Sequence, residues 1–223
     1  MSQVIFDIET IGLDFESLDQ QQQDYMLKFA ESEQEIEEAK QKLALYPLTG
    51  EVVAIGMLNV ETNKGVVYYR DEQNPEQENS EADVLYKAGT EEQVITNFWQ
   101  AFKNYDQFIT FNGRGFDCPF LHLRSGILQI EPTKNLMPYR YSTDIHIDLL
   151  DQLTFQGAYR KFSLDFYCKA FGIKSPKQDG ITGLDVPDLF KQGKTMDIAR
   201  YCYGDLVATK ELYQRWQKFI NIK

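Results

Sequence analysis

The chain has 223 residues, 43% hydrophobic and 26% charged, which suits one well-packed domain and excludes wholesale disorder. No apolar run reaches bilayer-spanning length, the start at Met1 lacks a signal peptide's basic region, and Cys118, Cys168 and Cys202 have no CxxC spacing; a membrane span, a disulfide framework and a zinc site are not expected, and a reducing cytoplasm is. The net charge of −11 argues against nucleic acid only as an average: residues 1–92 hold 6 Lys/Arg against 21 Asp/Glu (−15), residues 93–223 hold 17 against 13 (+4).

Val4-Ile5-Phe6 is a short β-type run that reads as a buried strand leading into Asp7. Residues 15–46 carry apolar side chains at three- and four-residue steps (Phe15, Leu18, Tyr25, Phe29, Ile36, Ala39, Leu43, Tyr46), which predicts a long amphipathic helix, broken at most once. Its stripe is expected to cover its own domain, with a protein partner or self-association as the alternative. Residues 51–60 and 65–69 predict a hairpin, and 71–82 a polar, acidic loop. Thr90 with Glu92 and Gln93 predicts a helix start, with Val94, Ile95, Phe98, Trp99 and Phe102 inward. A strand over 107–111 follows, then a helix opened by Asp117 that tolerates Pro119 and turns Phe120, Leu121 and Leu123 inward. Ser163–Gly172 reads as a capped helix, 173–185 as a loop, and Thr195 as the cap of a long helix ending near Ile220. The pattern is that of a mixed α/β single domain over 1–223, with 15–46 as a helical insertion.

The chemistry lies in three acidic clusters. Asp7 and Glu9 are two apart on a strand and share a face, while Ile8 points the other way. Asp117 ends Asn112-Gly113-Arg114-Gly115-Phe116-Asp117. Tyr201 and Asp205 are one helical turn apart on one face. Gathered by a fold, four carboxylates need cations, and hard divalent ions suit oxygen donors. Tyr201 is then placed to orient water, and acts as a base only if phenolate is stabilised.

In order and spacing, Phe6-Asp7-Ile8-Glu9-Thr10, Asn112-x3-Phe116-Asp117 and Tyr201-x3-Asp205 resemble the three motifs of the DEDD 3′–5′ exonuclease superfamily in its tyrosine branch. Thr110–Leu121, His146–Leu149, Phe162–Asp165 and Ala199–Asp205 extend the resemblance to predicted 3′–5′ exonucleases related to the proofreading domain of family B DNA polymerases. The connection at 14–46 is longer than usual for that group. The resemblance implies a ribonuclease H-like fold, a mixed five-stranded sheet flanked by helices, with the long helix inserted after the first strand.

It also implies two divalent ions, Mg²⁺ or Mn²⁺, held by Asp7, Glu9, Asp117 and Asp205, with Tyr201 orienting or deprotonating water. The activity implied is 3′–5′ hydrolysis of single-stranded DNA, with RNA left open; the alternative is a non-catalytic nucleic-acid-binding or assembly module on the same fold. Thr10, Asn112, Arg114 and Phe116 are the candidate substrate contacts. Lys134, Arg140, Arg160, Lys161, Lys174 and Lys177 are candidates to track a backbone, and Leu13 to pack on a base. His146 and Asp148 are expected to hold structural hydrogen bonds.

Overall fold

The computed structural model describes residues 1–175 and 180–222, and Lys177 lies outside them. Strand β1 (Gln3–Gly12) is the axis of the molecule. It pairs antiparallel with β2 (Gly50–Asn59), placing Asp7 opposite Gly56 and Glu9 opposite Ala54. On its other edge it pairs parallel with β6 (Gln107–Thr110), over Gln3–Ile5 only. The hairpin partner β3 (Gly65–Arg70) lies beyond β2, and its turn carries Asn63 at φ 61°.

The sheet has seven strands rather than five. Its order is β4-β5-β3-β2-β1-β6-β7, with β4 (Glu78–Glu81), β5 (Val84–Gly89) and β7 (His146–Asp148) completing it. In β5 the period of two was present, since Val84, Tyr86 and Ala88 are buried. Strand β4 has no apolar alternation and exists through its pairing with β5.

The long helix expected over 15–46 is instead several short pieces. Between single 3₁₀ turns at Phe15–Ser17 and Lys42–Leu45 stand α1 (Gln20–Met26) and α2 (Glu33–Gln41). Asp19 with Gln22 and Ser32 with Glu35 form capping boxes, each of which starts a new helix. Phe15, Leu18 and Leu43 make a small core of their own, with Leu13 packed on it, while Tyr25 and Phe29 face solvent.

Side-chain alternation along β1 sorts the two layers. Val4, Phe6 and Ile8 enter the core beneath α3 (Glu91–Phe102) and α4 (Asp117–Ile127). There the Phe6 ring lies 5.4–5.6 Å from those of Phe98, Phe102 and Phe108. Helix α3 starts on the expected Thr90–Gln93 capping box. In α4, Phe120 and Leu121 are buried but Leu123 is exposed, because two further residues turn it about 200° from Leu121.

The opposite face belongs to α8 (Thr195–Phe219). Ile5 joins Leu206 and Leu212 there, and Ile11 joins Ile198 and Cys202. Thr195 is the first helical residue rather than the cap, a position taken by Lys194. Two short helices flank α8: α6 (Leu164–Phe171), capped by Ser163 and ended by left-handed Gly172, and α7 (Val186–Lys191). Gly56 sets the approach of α8 to the sheet, since a Cβ there would stand 2.7 Å from Leu206 Cδ1 and 2.9 Å from Cys202 Sγ.

Candidate active site

Asp7 and Glu9 project from β1 between Ile5 and Ile11, on the face that α8 covers. Their position follows from the alternation that buries Phe6 and Ile8 opposite. Asp117 arrives from the other side of β1, at the first residue of α4. Pairing of β1 with β6 stops at Ile5, so the Ile8 N–H has no strand partner on that side; it donates instead to Asp117 Oδ1 at 3.1 Å.

The loop leading to Asp117 is tightly built. Asn112 has φ 63°, and a Cβ on Gly113 would stand 2.4 Å from Thr110 Oγ1, so only glycine fits. Asp148 holds this loop: Oδ1 accepts the Asn112 N–H at 3.0 Å and Oδ2 the Arg114 N–H at 2.8 Å. The same carboxylate caps α5 (Leu149–Leu153) by accepting the Leu150 N–H at 2.9 Å.

Four carboxylates from three elements thus influence one another. Burial, followed by Asp117, Asp205 and Glu9, pushes the Asp7 carboxyl well above the usual range. Burial, followed by Asp205 and Asp117, does the same to Glu9. Asp117 is pushed up to about 7, by burial first and then by Asp148 and Asp205 against the opposing hydrogen bonds from backbone N–H groups. No Lys or Arg among the described residues pairs with Asp7, Glu9 or Asp117. Tyr201 hydrogen-bonds to Asp205, and burial, Asp205, Glu9 and Asp7 raise its phenol far above the ordinary value. It is therefore a proton donor here.

Ligand atoms of Asp7, Glu9 and Cys202 lie within 4.8 Å of one another. Cys202 was not a sequence candidate; the signal was its place between Tyr201 and Asp205, which spacing rules for cysteine ligands overlook. Its thiol is held protonated by burial and then by Asp7, and it donates to the Asp7 backbone oxygen at 3.7 Å. What the cluster offers a cation is therefore carboxylate oxygen, a donor set that fits Mg²⁺ or Mn²⁺ better than zinc.

The other candidates are more dispersed. Thr10 is buried and its hydroxyl donates to the Ala44 oxygen at 2.7 Å, so it anchors the insertion. Arg114 reaches over the surface to the Pro138 and Tyr139 oxygens, at 3.0 and 3.4 Å. Phe116 is half-buried, 5.5 Å from the Phe120 ring. Lys134 is tied to the Tyr105 oxygen and Arg140 to Asp151, whereas Arg160, Lys161 and Lys174 are exposed. Leu13 is occupied in the core of the insertion. His146 is buried, stacked on Phe108 and 2.8 Å from Thr110 Oγ1; burial, then Arg114, lowers it to about 3, so it is neutral.

A family described as predicted 3′–5′ exonuclease related to the exonuclease domain of PolB matches residues 51–221. The chain belongs to this family. Within this PolB-related exonuclease family match stand Asp117, Tyr201 and Asp205, while Asp7 and Glu9 precede it. The chain is 29% identical over 119 residues to DNA polymerase 1 of Sulfurisphaera ohwakuensis and 27% identical over 117 residues to DNA polymerase 1 of Sulfolobus acidocaldarius. Each match covers 46% of this chain and only 13% of the polymerase. A family B DNA polymerase from Pyrobaculum calidifontis shares the fold, with a TM-score of 0.63 at 17% identity, over 97% of this chain and 24% of the polymerase. No helix among the described residues is long and apolar enough to cross a membrane.

Proposed function

We propose that this chain is a metal-dependent 3′–5′ exonuclease of the tyrosine branch, formed by one domain over 1–223, acting on single-stranded DNA, with RNA left to the assay. The observation that carries the proposal is the gathering of four carboxylates: Asp7, Glu9 and Asp117 are each raised by burial and by neighbouring acids that include Asp205, and no Lys or Arg among the described residues pairs with those three. Membership of the PolB-related exonuclease family supports the same chemistry.

In this reading the four acids hold two divalent ions, Mg²⁺ or Mn²⁺, which when bound supply an activated nucleophile and charge stabilisation at the leaving 3′-oxygen. Asp117 is held by Ile8 N–H, so its carboxylate has a fixed direction before any ligand arrives. Tyr201 orients the attacking water by hydrogen bonding, the less demanding of its two expected roles. Asn112, Arg114 and Phe116, on the loop clamped by Asp148, stand next to Asp117 as substrate contacts. Three free, buried cysteines accord with a cytoplasmic site of action. Exposed Tyr25 and Phe29 keep a partner or second copy at 15–46 within the proposal.

Purified protein with Mn²⁺ is expected to shorten a 5′-labelled single strand progressively from its 3′ end. Shortening that survives both Asp7→Ala and Asp205→Ala, or begins at the 5′ end, sinks the proposal. Binding without any hydrolysis selects the non-catalytic module instead.

A further inference from the structure

Two exposed aromatic side chains stand in the short segment that follows α5. Phe155 and Tyr159 are 65% and 68% exposed. Phe155, Gln156 and Gly157 are successive left-handed residues, at φ 51°, 60° and 90°. A bulky residue rarely takes that conformation, and its presence signals a constraint imposed by the surroundings.

The turn is firmly held. Gln156 N–H donates to the Asp151 oxygen at 2.7 Å, and Tyr159 N–H to the Thr154 oxygen at 2.9 Å. The buried Thr154 hydroxyl donates to the Leu150 oxygen at 2.7 Å and accepts the Gly157 N–H at 3.3 Å. The result is a hydrogen-bonded hook that keeps the Phe155 ring in water. Cations follow directly: Arg160 lies 5.1 Å over the Phe162 ring, and Phe162 stacks on Phe166 at 4.5 Å and 15°. Arg160 and Lys161 are exposed and take part in no ion pair among the described residues.

Two connections join the hook to the four acids. Asp148 caps α5, from which the hook springs, with the carboxylate that also clamps the loop before Asp117. The Tyr167 ring bridges Phe162, at 6.2 Å, and Phe111, at 5.8 Å, where that loop begins.

Exposed rings interleaved with cations that have no ion-pair partner among the described residues match one ligand chemistry, a single strand whose bases stack and whose phosphates meet the cations. A duplex hides its base faces, and an acidic protein segment leaves the rings unused. We propose that the hook Thr154–Phe162 is a stacking platform for unpaired bases of the strand whose end reaches the four acids; this rests on the exonuclease reading above.

Fluorescence anisotropy with fluorescein-labelled oligothymidylate in EDTA tests it. Phe155→Ala and Tyr159→Ala are each expected to weaken binding about tenfold, while Phe155→Trp stays within about twofold of wild type. Removing both charges with Arg160→Gln and Lys161→Gln is expected to flatten the salt dependence by about 0.7 per cation. Wild-type affinity in both alanine variants overturns the platform, as does equal weakening by Phe155→Trp in protein of unchanged circular dichroism. The exonuclease reading is scored separately, by release of nitrophenol from the p-nitrophenyl ester of thymidine 5′-phosphate by wild-type protein with Mn²⁺. That substrate has one base, so its inertness counts against the nuclease, and unchanged oligothymidylate binding counts against the hook alone.

Discussion

Two charge clusters flank the same sheet and are handled in opposite ways. Between α3, α4 and β2, Glu91 and Arg124 are 8% and 6% exposed and form a two-pronged pair at 2.5 and 2.9 Å. Glu91 also accepts the Val52 N–H at 2.8 Å, and Arg70 holds Glu51 at 2.6 Å nearby. Every sign there is matched within the chain. Beside α8, Asp7, Glu9, Asp117 and Asp205 are of one sign, and three of the four carboxyls are raised by the others as well as by burial. The chain neutralises a buried acid with its own arginine one layer away, whereas no Lys or Arg among the described residues pairs with Asp7, Glu9 or Asp117, the contrast on which the proposed metal site rests.

The largest effect that would break this contrast is catalytic. Asp7→Ala or Asp205→Ala is expected to lower 3′ shortening by about 10³-fold or more, read as product per time on a labelled single strand. Next comes the matched cluster. Arg124→Ala leaves Glu91 buried without its cation and is expected to cost about 3–5 kcal/mol in urea unfolding, by removal of one partner of a buried pair.

The pH dependence separates the clusters further. In the folded chain Asp117 titrates near 7, above its ordinary 3.8, so the folded state binds that proton more tightly than the unfolded state. Its contribution is therefore full below about pH 4 and is lost as pH rises through about 7. In EDTA the urea midpoint should fall between about pH 5 and about pH 8, and Mn²⁺ should restore it most at the higher pH. A midpoint that rises over this range, or Mn²⁺ that helps equally at both ends, removes the case for an un-neutralised cluster.

Smaller effects sharpen the picture. Asp7→Asn removes one of four like charges and is expected to stabilise metal-free protein by about 1–2 kcal/mol at mildly alkaline pH while abolishing activity. Thr10→Val breaks only the hydrogen bond to Ala44 and is expected to cost about 1 kcal/mol, seen as a small drop in urea midpoint. If that variant instead weakens oligonucleotide binding, Thr10 returns to the list of substrate contacts.

Much of this was legible in residue order. Alternation along Phe6-Asp7-Ile8-Glu9 put both acids on one face, and the i, i+4 spacing put Tyr201 on the face of Asp205. Helix α3 was readable from Thr90 to Phe102, because its capping box and its buried stripe are both local. The 15–46 segment was misread for an equally local reason. Its apolar stripe continues through Asp19 and Ser32, but the capping boxes there start new helices and leave Phe29 outside.

What the sequence by itself determined is which side chains share a face, since periodicity needs only neighbours a few positions away. Tertiary structure decided what the faces meet. It made a strand of Glu78–Glu81 by pairing it with β5. It made Gly56 the point where α8 comes closest, and it brought Cys202 beside Asp7 and Glu9. It also aimed Asp117, because β6 ends before Ile8 and leaves one backbone N–H that only that carboxylate satisfies. Such unmet donors depend on where a distant strand stops, and no local pattern records that.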